Sequence, residues 1–182
     1  MHIHQRFFWL LFLGLLVGCG EFVQTGSAVS ASAKTGTLMD VDWANFTYTA
    51  TCYGQTLQFQ TQDGVTQKNG IHLQVDKPVF GDITGDGKDE AVIPYACAAA
   101  DFGGVRAFVY SGDAANPTLL GNLPQPSRSK GEAWGSIDTI RIDGGKIYVS
   151  GKGYSAAAPR CCPDLQIEMR YRWDGKQFVV AD

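Results

Sequence analysis

The chain of 182 residues carries fifteen Lys and Arg against eighteen Asp and Glu, a formal charge of −3, and 45% of its residues are apolar. This length suits a single domain with a real core. The mild acidity gives no support for a polyanionic partner such as nucleic acid.

His2, His4 and Arg6 make a short basic start, and the apolar run Phe7–Gly18 (FFWLLFLGLLVG) follows. The run is shorter than the roughly 20 apolar residues a spanning helix needs, and suits a signal peptide over residues 1–18. It closes on Leu16-Val17-Gly18-Cys19, which resembles the lipobox of bacterial lipoproteins. The resemblance implies cleavage before Cys19, a thioether lipid on Cys19, and acylation of the new amino terminus, with palmitate among the chains. Two or more acyl chains anchor stably where a single one is marginal. Gly20 and Glu21 follow without the Asp that resembles an inner-membrane retention signal. The implied location is the outer membrane in a Gram-negative cell, and otherwise the outer face of the cell membrane. Removing residues 1–18 takes Arg6 with it and leaves 164 residues of formal charge −4. No second apolar run is long enough to cross a membrane.

Residues 19–37 are rich in Ser, Ala, Gly and Thr with no apolar periodicity, and read as a flexible tether. The globular domain is expected over residues 38–182, with a weak helical turn around Leu38–Asn45. Beyond it the dominant signal is alternation of period two. Leu57 and Phe59 alternate with Gln58 and Gln60; Ile71, Leu73 and Val75 share one face, with His72 and Gln74 on the other. Ile140 and Ile142 flank Arg141, and Asp143-Gly144-Gly145 turns the chain into Ile147 and Val149. The clearest case is Leu165–Trp173, where Leu165, Ile167, Met169, Tyr171 and Trp173 oppose Gln166, Glu168, Arg170 and Arg172. Asp174-Gly175 then reverses the chain into Phe178–Val180. These elements predict a mainly β, antiparallel domain, a sandwich or open barrel of about seven to nine strands. Pro94 implies an edge or bulge at its position. Ala96–Gly104 and Pro117–Gly131 read as loops, the second a candidate contact surface because of its length.

The most specific internal motif is Val79–Pro94, VFGDITGDGKDEAVIP, which reads as strand, tight acidic turn, strand. Asp82, Asp86 and Glu90 recur every fourth residue, which is expected to bring their carboxylates to one small region. Gly85 and Gly87 supply the positive φ a sharp turn requires. With Asp82 as the first position, oxygen donors fall at Asp82, Thr84, Asp86, the Lys88 carbonyl and Glu90, with Gly87 at the sixth. Calcium takes such hard oxygen ligands, so calcium is the one cofactor the sequence suggests. The pattern resembles the D-x-[DN]-x-D-G-x-x-D loops of integrin-type repeats, departing at Thr84, and Ile93 denies it the twelfth-position acid of an EF-hand. The competing reading is a glycine-rich hairpin with solvated acids.

With Cys19 assigned to lipid, Cys52, Cys97, Cys161 and Cys162 remain, an even set that suits an exported protein. Neighbouring side chains in an extended segment point to opposite faces, so Cys161 and Cys162 are expected to reach separately to Cys52 and Cys97. Each such bridge would contribute roughly 2–4 kcal/mol. The rival, a thiolate zinc site, requires all four to converge in a reducing setting.

Catalytic signals are sparse. The predicted mature chain has one histidine, His72, expected on an exposed strand face, so any Ser-His-Asp triad would depend on it alone. There is no G-x-S-x-G elbow, P-loop, H-E-x-x-H or dinucleotide fingerprint. A carboxylate pair for hydrolysis is an open alternative, because sequence cannot measure separations. Trp43, Trp134 and Trp173 are expected as core or rim aromatics.

Several of these features recur together. The lipobox, GDITGDGKDEAVI, Cys97, GGVRAFVY, Leu120-Gly121, CCPD and the closing RYRWDGKQFV resemble the LppP/LprE-type lipoproteins of actinobacteria and similar exported domains. The resemblance covers roughly Val79–Val180. It implies an envelope lipoprotein with disulfides and supplies no catalytic residues. The expected function is a non-catalytic, lipid-anchored binding or envelope-maintenance module, with an envelope protein or glycan as partner. Two alternatives stand beside it: a carboxylate-based envelope hydrolase, and a lysozyme-inhibitor-like lipoprotein suggested by FTYTATCYGQTLQF. Because the anchoring chemistry lies in one side chain, Cys19→Ala is predicted to release the protein from the membrane fraction. Unchanged fractionation, with no acyl mass on the wild type, would refute the anchor.

Overall fold

The computed structural model describes residues 36–100, 102–126, 134–159 and 161–181. The signal peptide, the lipobox with Cys19 and almost all of the tether lie outside them. Residues 34–182 form one compact unit. It opens with two short 3-10 helices, Leu38–Asp40 and Trp43–Asn45, where the helical turn was expected. Twelve strands follow: β1 Thr47–Cys52, β2 Gln55–Gln60, β3 Val65–Lys68, β4 Ile71–Val75, β5 Val79–Gly81 and β6 Glu90–Ala98. The remainder are β7 Phe102–Gly112, β8 Pro117–Asn122, β9 Thr139–Asp143, β10 Lys146–Gly153, β11 Leu165–Trp173 and β12 Phe178–Val180.

Among the described residues these strands make three antiparallel sheets and no closed barrel. The mainly β, sandwich-like prediction holds, with more strands than the expected seven to nine. The surplus includes β3, four residues long and too short to show periodicity, and β8, expected as loop. Two-residue turns set the hairpins. Tyr53-Gly54, Asn69-Gly70 and Gly144-Gly145 all have positive φ at both positions, the twist that matches flanking strands.

The six-stranded sheet, ordered β3-β4-β6-β7-β8 with β5 also on β6, has a hydrophobic core on each face. Ala91, Ile93, Tyr95 and Cys97 of β6 join Phe108 and Tyr110 of β7 in the first core, with the β1–β2 hairpin, Leu38 and Trp43. Tyr48, Phe108 and Tyr95 stack in sequence there, with ring centres 5.2 and 3.8 Å apart. Burial pushes the Tyr110 phenol up to about 12. Val92, Ala107 and Val109 face the second core, with Ile147, Val149, Ile167, Tyr171, Phe178 and Trp134. That core is closed by the four-stranded sheet, ordered β12-β11-β10-β9.

Some expectations are corrected. Pro94 lies in the middle of β6, neither on an edge strand nor at the nearby irregularity between Ala96 and Ala98. It is tolerated because β4 and β5 share one edge of β6 with a break between them. The Pro94 carbonyl accepts from the Asp76 N–H at 2.9 Å, and its N–H-less nitrogen faces the same seam. The segment Ala96–Gly104 is mostly strand, and Pro117–Asn122 is β8 rather than loop.

The disulfide pairing also differs from expectation. Cys52 bonds Cys97, joining β1 to β6, and Cys161 bonds its neighbour Cys162. The premise of opposite faces fails because Cys161 and Cys162 sit in a turn, with Cys162 N–H donating to the Pro159 carbonyl at 2.9 Å. Two separate pairs leave no four-thiolate zinc site. The Cys52–Cys97 bridge spans 45 residues and fastens the β1–β2 hairpin to the central sheet. Replacing both cysteines with alanine is predicted to lower stability by about 2–4 kcal/mol in urea unfolding. Peptide mapping without reductant should recover Cys52 joined to Cys97; any other partner would overturn the assignment.

Candidate functional site

Two regions concentrate chemistry. The first is the turn between β5 and β6, paired so that Gly81 faces Glu90. Its acids serve its own backbone. Asp82 accepts from the N–H groups of Gly85 and Gly87 at 2.7 and 3.0 Å, and Asp86 from that of Lys88 at 2.9 Å. Gly85 and Gly87 have φ of 81° and 82° with open space where a Cβ would sit, so conformation alone requires glycine there.

Glu90 is buried, at 1% exposure. One carboxylate oxygen accepts from the N–H groups of Ile83 and Thr84, at 2.8 and 3.0 Å, and the other from the Thr84 hydroxyl at 3.2 Å. Burial pushes its pKa up, and these hydrogen bonds oppose the rise. Among the described residues no group of three or more His, Cys, Asp or Glu side chains is placed to hold a metal ion. Asp82, Asp86 and Glu90 thus each accept from N–H groups of the turn, and Glu90 acts as its inner clasp.

The second region is the outer face of the four-stranded sheet, which sequence reading left unassembled. Strict alternation sends Ile147, Val149, Ile167 and Tyr171 into the core. The residues between them face out, and register aligns them. Arg141, Tyr148 and Arg170 form one cross-strand row; Thr139, Ser150 and Glu168 form the next. Together they line a groove of about 720 Å³, within the range of small-molecule sites. The Arg141 guanidinium carbon lies 4.1 Å from the centre of the Tyr148 ring and that of Arg170 5.8 Å from it. Arg141 pairs with exposed Asp143 at 2.8 Å; Arg170 has no ion pair among the described residues. The Thr139 and Ser150 hydroxyls lie 2.7 Å apart. With Lys146, Lys152 and Arg172 also exposed on this face, basic groups outnumber Asp143 and Glu168 in an otherwise acidic protein.

The remaining sequence candidates are placed elsewhere. His72 is exposed on β4. Trp43 and Trp134 are core residues, and Trp173 packs partly buried on Phe178 at 4.8 Å. Cys161 and Cys162 are exposed on the connection from β10 to β11, which Asp164 closes by accepting from the Ser155 N–H and hydroxyl at 2.8 and 2.7 Å. Comparison of the chain with protein families, curated proteins and solved structures finds no match.

The Glu90 clasp yields a test. Glu90→Ala leaves two inner N–H groups without acceptors and is predicted to cost about 2–4 kcal/mol, whereas Glu90→Gln keeps an acceptor and costs far less. A raised folded pKa means the native state holds this proton more tightly than the unfolded chain. The contribution of Glu90 is therefore greatest below the ordinary carboxylate value and declines as pH rises through the raised one. Unfolding measured across that window should show the decline in the wild type and lose it in Glu90→Gln. Equal effects of the two substitutions would remove the clasp. A melting temperature raised by millimolar calcium, with Asp86→Ala cancelling the rise, would establish the calcium reading.

Proposed function

We propose that the protein is an exported lipoprotein of LppP/LprE type, held to the membrane by lipid on Cys19, that works as a non-catalytic binding module of the cell envelope. Its working surface is the outer face of the four-stranded sheet. The observation that carries this reading is the row Arg141–Tyr148–Arg170, which gathers two guanidinium groups over one ring on the rim of an open groove. A folded core does not require exposed arginines to be so arrayed, since surface charge alone is satisfied by scattered side chains. The groove supports binding rather than acid catalysis. Glu90, whose pKa burial raises, is committed to the N–H groups of Ile83 and Thr84 rather than to the groove.

The test is retention. The full chain in detergent, incubated with insoluble envelope material, is predicted to sediment with it, and Arg141→Ala combined with Arg170→Ala to lower the bound fraction at least ~tenfold. Both side chains are exposed, so the variant's melting temperature should match the wild type. Failure of the wild type to sediment, or equal retention of both proteins, would overturn this reading.

A further inference from the structure

The two rows of the groove differ in chemistry, and the difference defines a ligand. Arg141 and Arg170 present planar forks suited to bidentate recognition of a carboxylate. Each lies opposite Tyr148 on a flanking strand, so the two side chains reach the ring from opposite sides of β10. The Arg141–Asp143 pair is exposed at both ends. The second row stands two residues along, about 7 Å away, and offers hydroxyl groups from Thr139 and Ser150 and the carboxylate of Glu168. Such groups exchange hydrogen bonds with neutral hydroxyls. Glu168 also repels a second negative charge, so a ligand densely charged along its length, such as a polyphosphate, meets an acid where its next charge would fall. Tyr148 is already covered by Arg141 at 4.1 Å, which leaves recognition to polar groups rather than ring stacking.

We infer that the groove takes a carboxylate-bearing saccharide. Its carboxylate is taken by the Arg170 guanidinium, which has no ion pair among the described residues, and the hydroxyls of the same or the adjoining sugar meet Thr139, Ser150 and Glu168. This deepens the proposed function and rests on it. One negative charge beside a neutral polyol is what the two rows jointly complement. Neither a neutral sugar nor a plain polyanion satisfies both.

The experiment is calorimetric titration of the full chain in detergent with galacturonate, which carries one carboxylate, its methyl ester and tripolyphosphate. Galacturonate should bind. The ester, which keeps the polyol and loses the charge, should bind at least ~tenfold more weakly, and tripolyphosphate, charge without polyol, should neither bind nor compete. Arg170→Ala should weaken galacturonate by ~tenfold or more and leave the ester unaffected. Tripolyphosphate binding as tightly as galacturonate would reduce the face to an unspecific basic patch and overturn the inference. So would an ester that binds as well as the acid. If galacturonate does not bind while envelope retention still depends on Arg141 and Arg170, the saccharide assignment falls and the binding face stands. Loss of both removes the face itself.

Discussion

Strand β6 is apolar on both faces, and the architecture follows from having to cover both. Ala91, Ile93, Tyr95 and Cys97 look one way and Val92 the other. A half-buried strand needs only one partner layer, but this one is buried over nearly its whole length, so material must pack on each side of the central sheet. The β1–β2 hairpin and the two 3-10 helices cover the first face, and the four-stranded sheet covers the second. At about 25 cal/mol per Å² of apolar surface, leaving either face to water would cost more than the few kcal/mol by which domains are stable. The Cys52–Cys97 bridge ties the smaller layer down, because a two-stranded hairpin is only marginally stable alone.

The four-stranded sheet is therefore a cover first. Its inner residues are fixed by the core, while its outer residues are free of that constraint. Such a face is the natural place for recognition chemistry: rigid backbone positions the side chains, and their exchange leaves the core untouched. The rows of arginine and hydroxyl groups arise from the same register that seats Ile147 against Tyr171 and Val149 against Met169. A slip of one residue would bury Arg170 and expose Tyr171. The core thus enforces the geometry of the groove although it contributes no atoms to it.

The turn before β6 plays a different part. Its acids are as conspicuous in the sequence as any metal site, and the carboxylates of Asp82, Asp86 and Glu90 meet N–H groups of their own loop. Asp82 holds the tip and Glu90 the base. A carboxylate that accepts two or three backbone N–H groups allows a tight, glycine-bearing loop to enter a buried strand without orphan donors.

Alternation of period two is a local property, and it marked Ile71–Val75, Leu165–Trp173 and their inward sets in the linear chain. The Gly144-Gly145 turn is local as well, and by itself places Arg141 opposite Tyr148. What the sequence by itself determined was therefore the β class, most of the longer strands and which side of each faces inward. The tertiary structure alone decided the rest. Arg170 meets Tyr148 across strands joined by the long connection through Cys161 and Cys162, and no local rule sets that register. The burial of Glu90 and the break that admits Pro94 depend on β4 and β5 sharing one edge of β6. The cysteine pairing turned on whether the chain at Cys161 and Cys162 is extended or turned. Each is a contact between segments far apart in the chain, or a backbone bend imposed by such contacts, and is settled only when the layers pack.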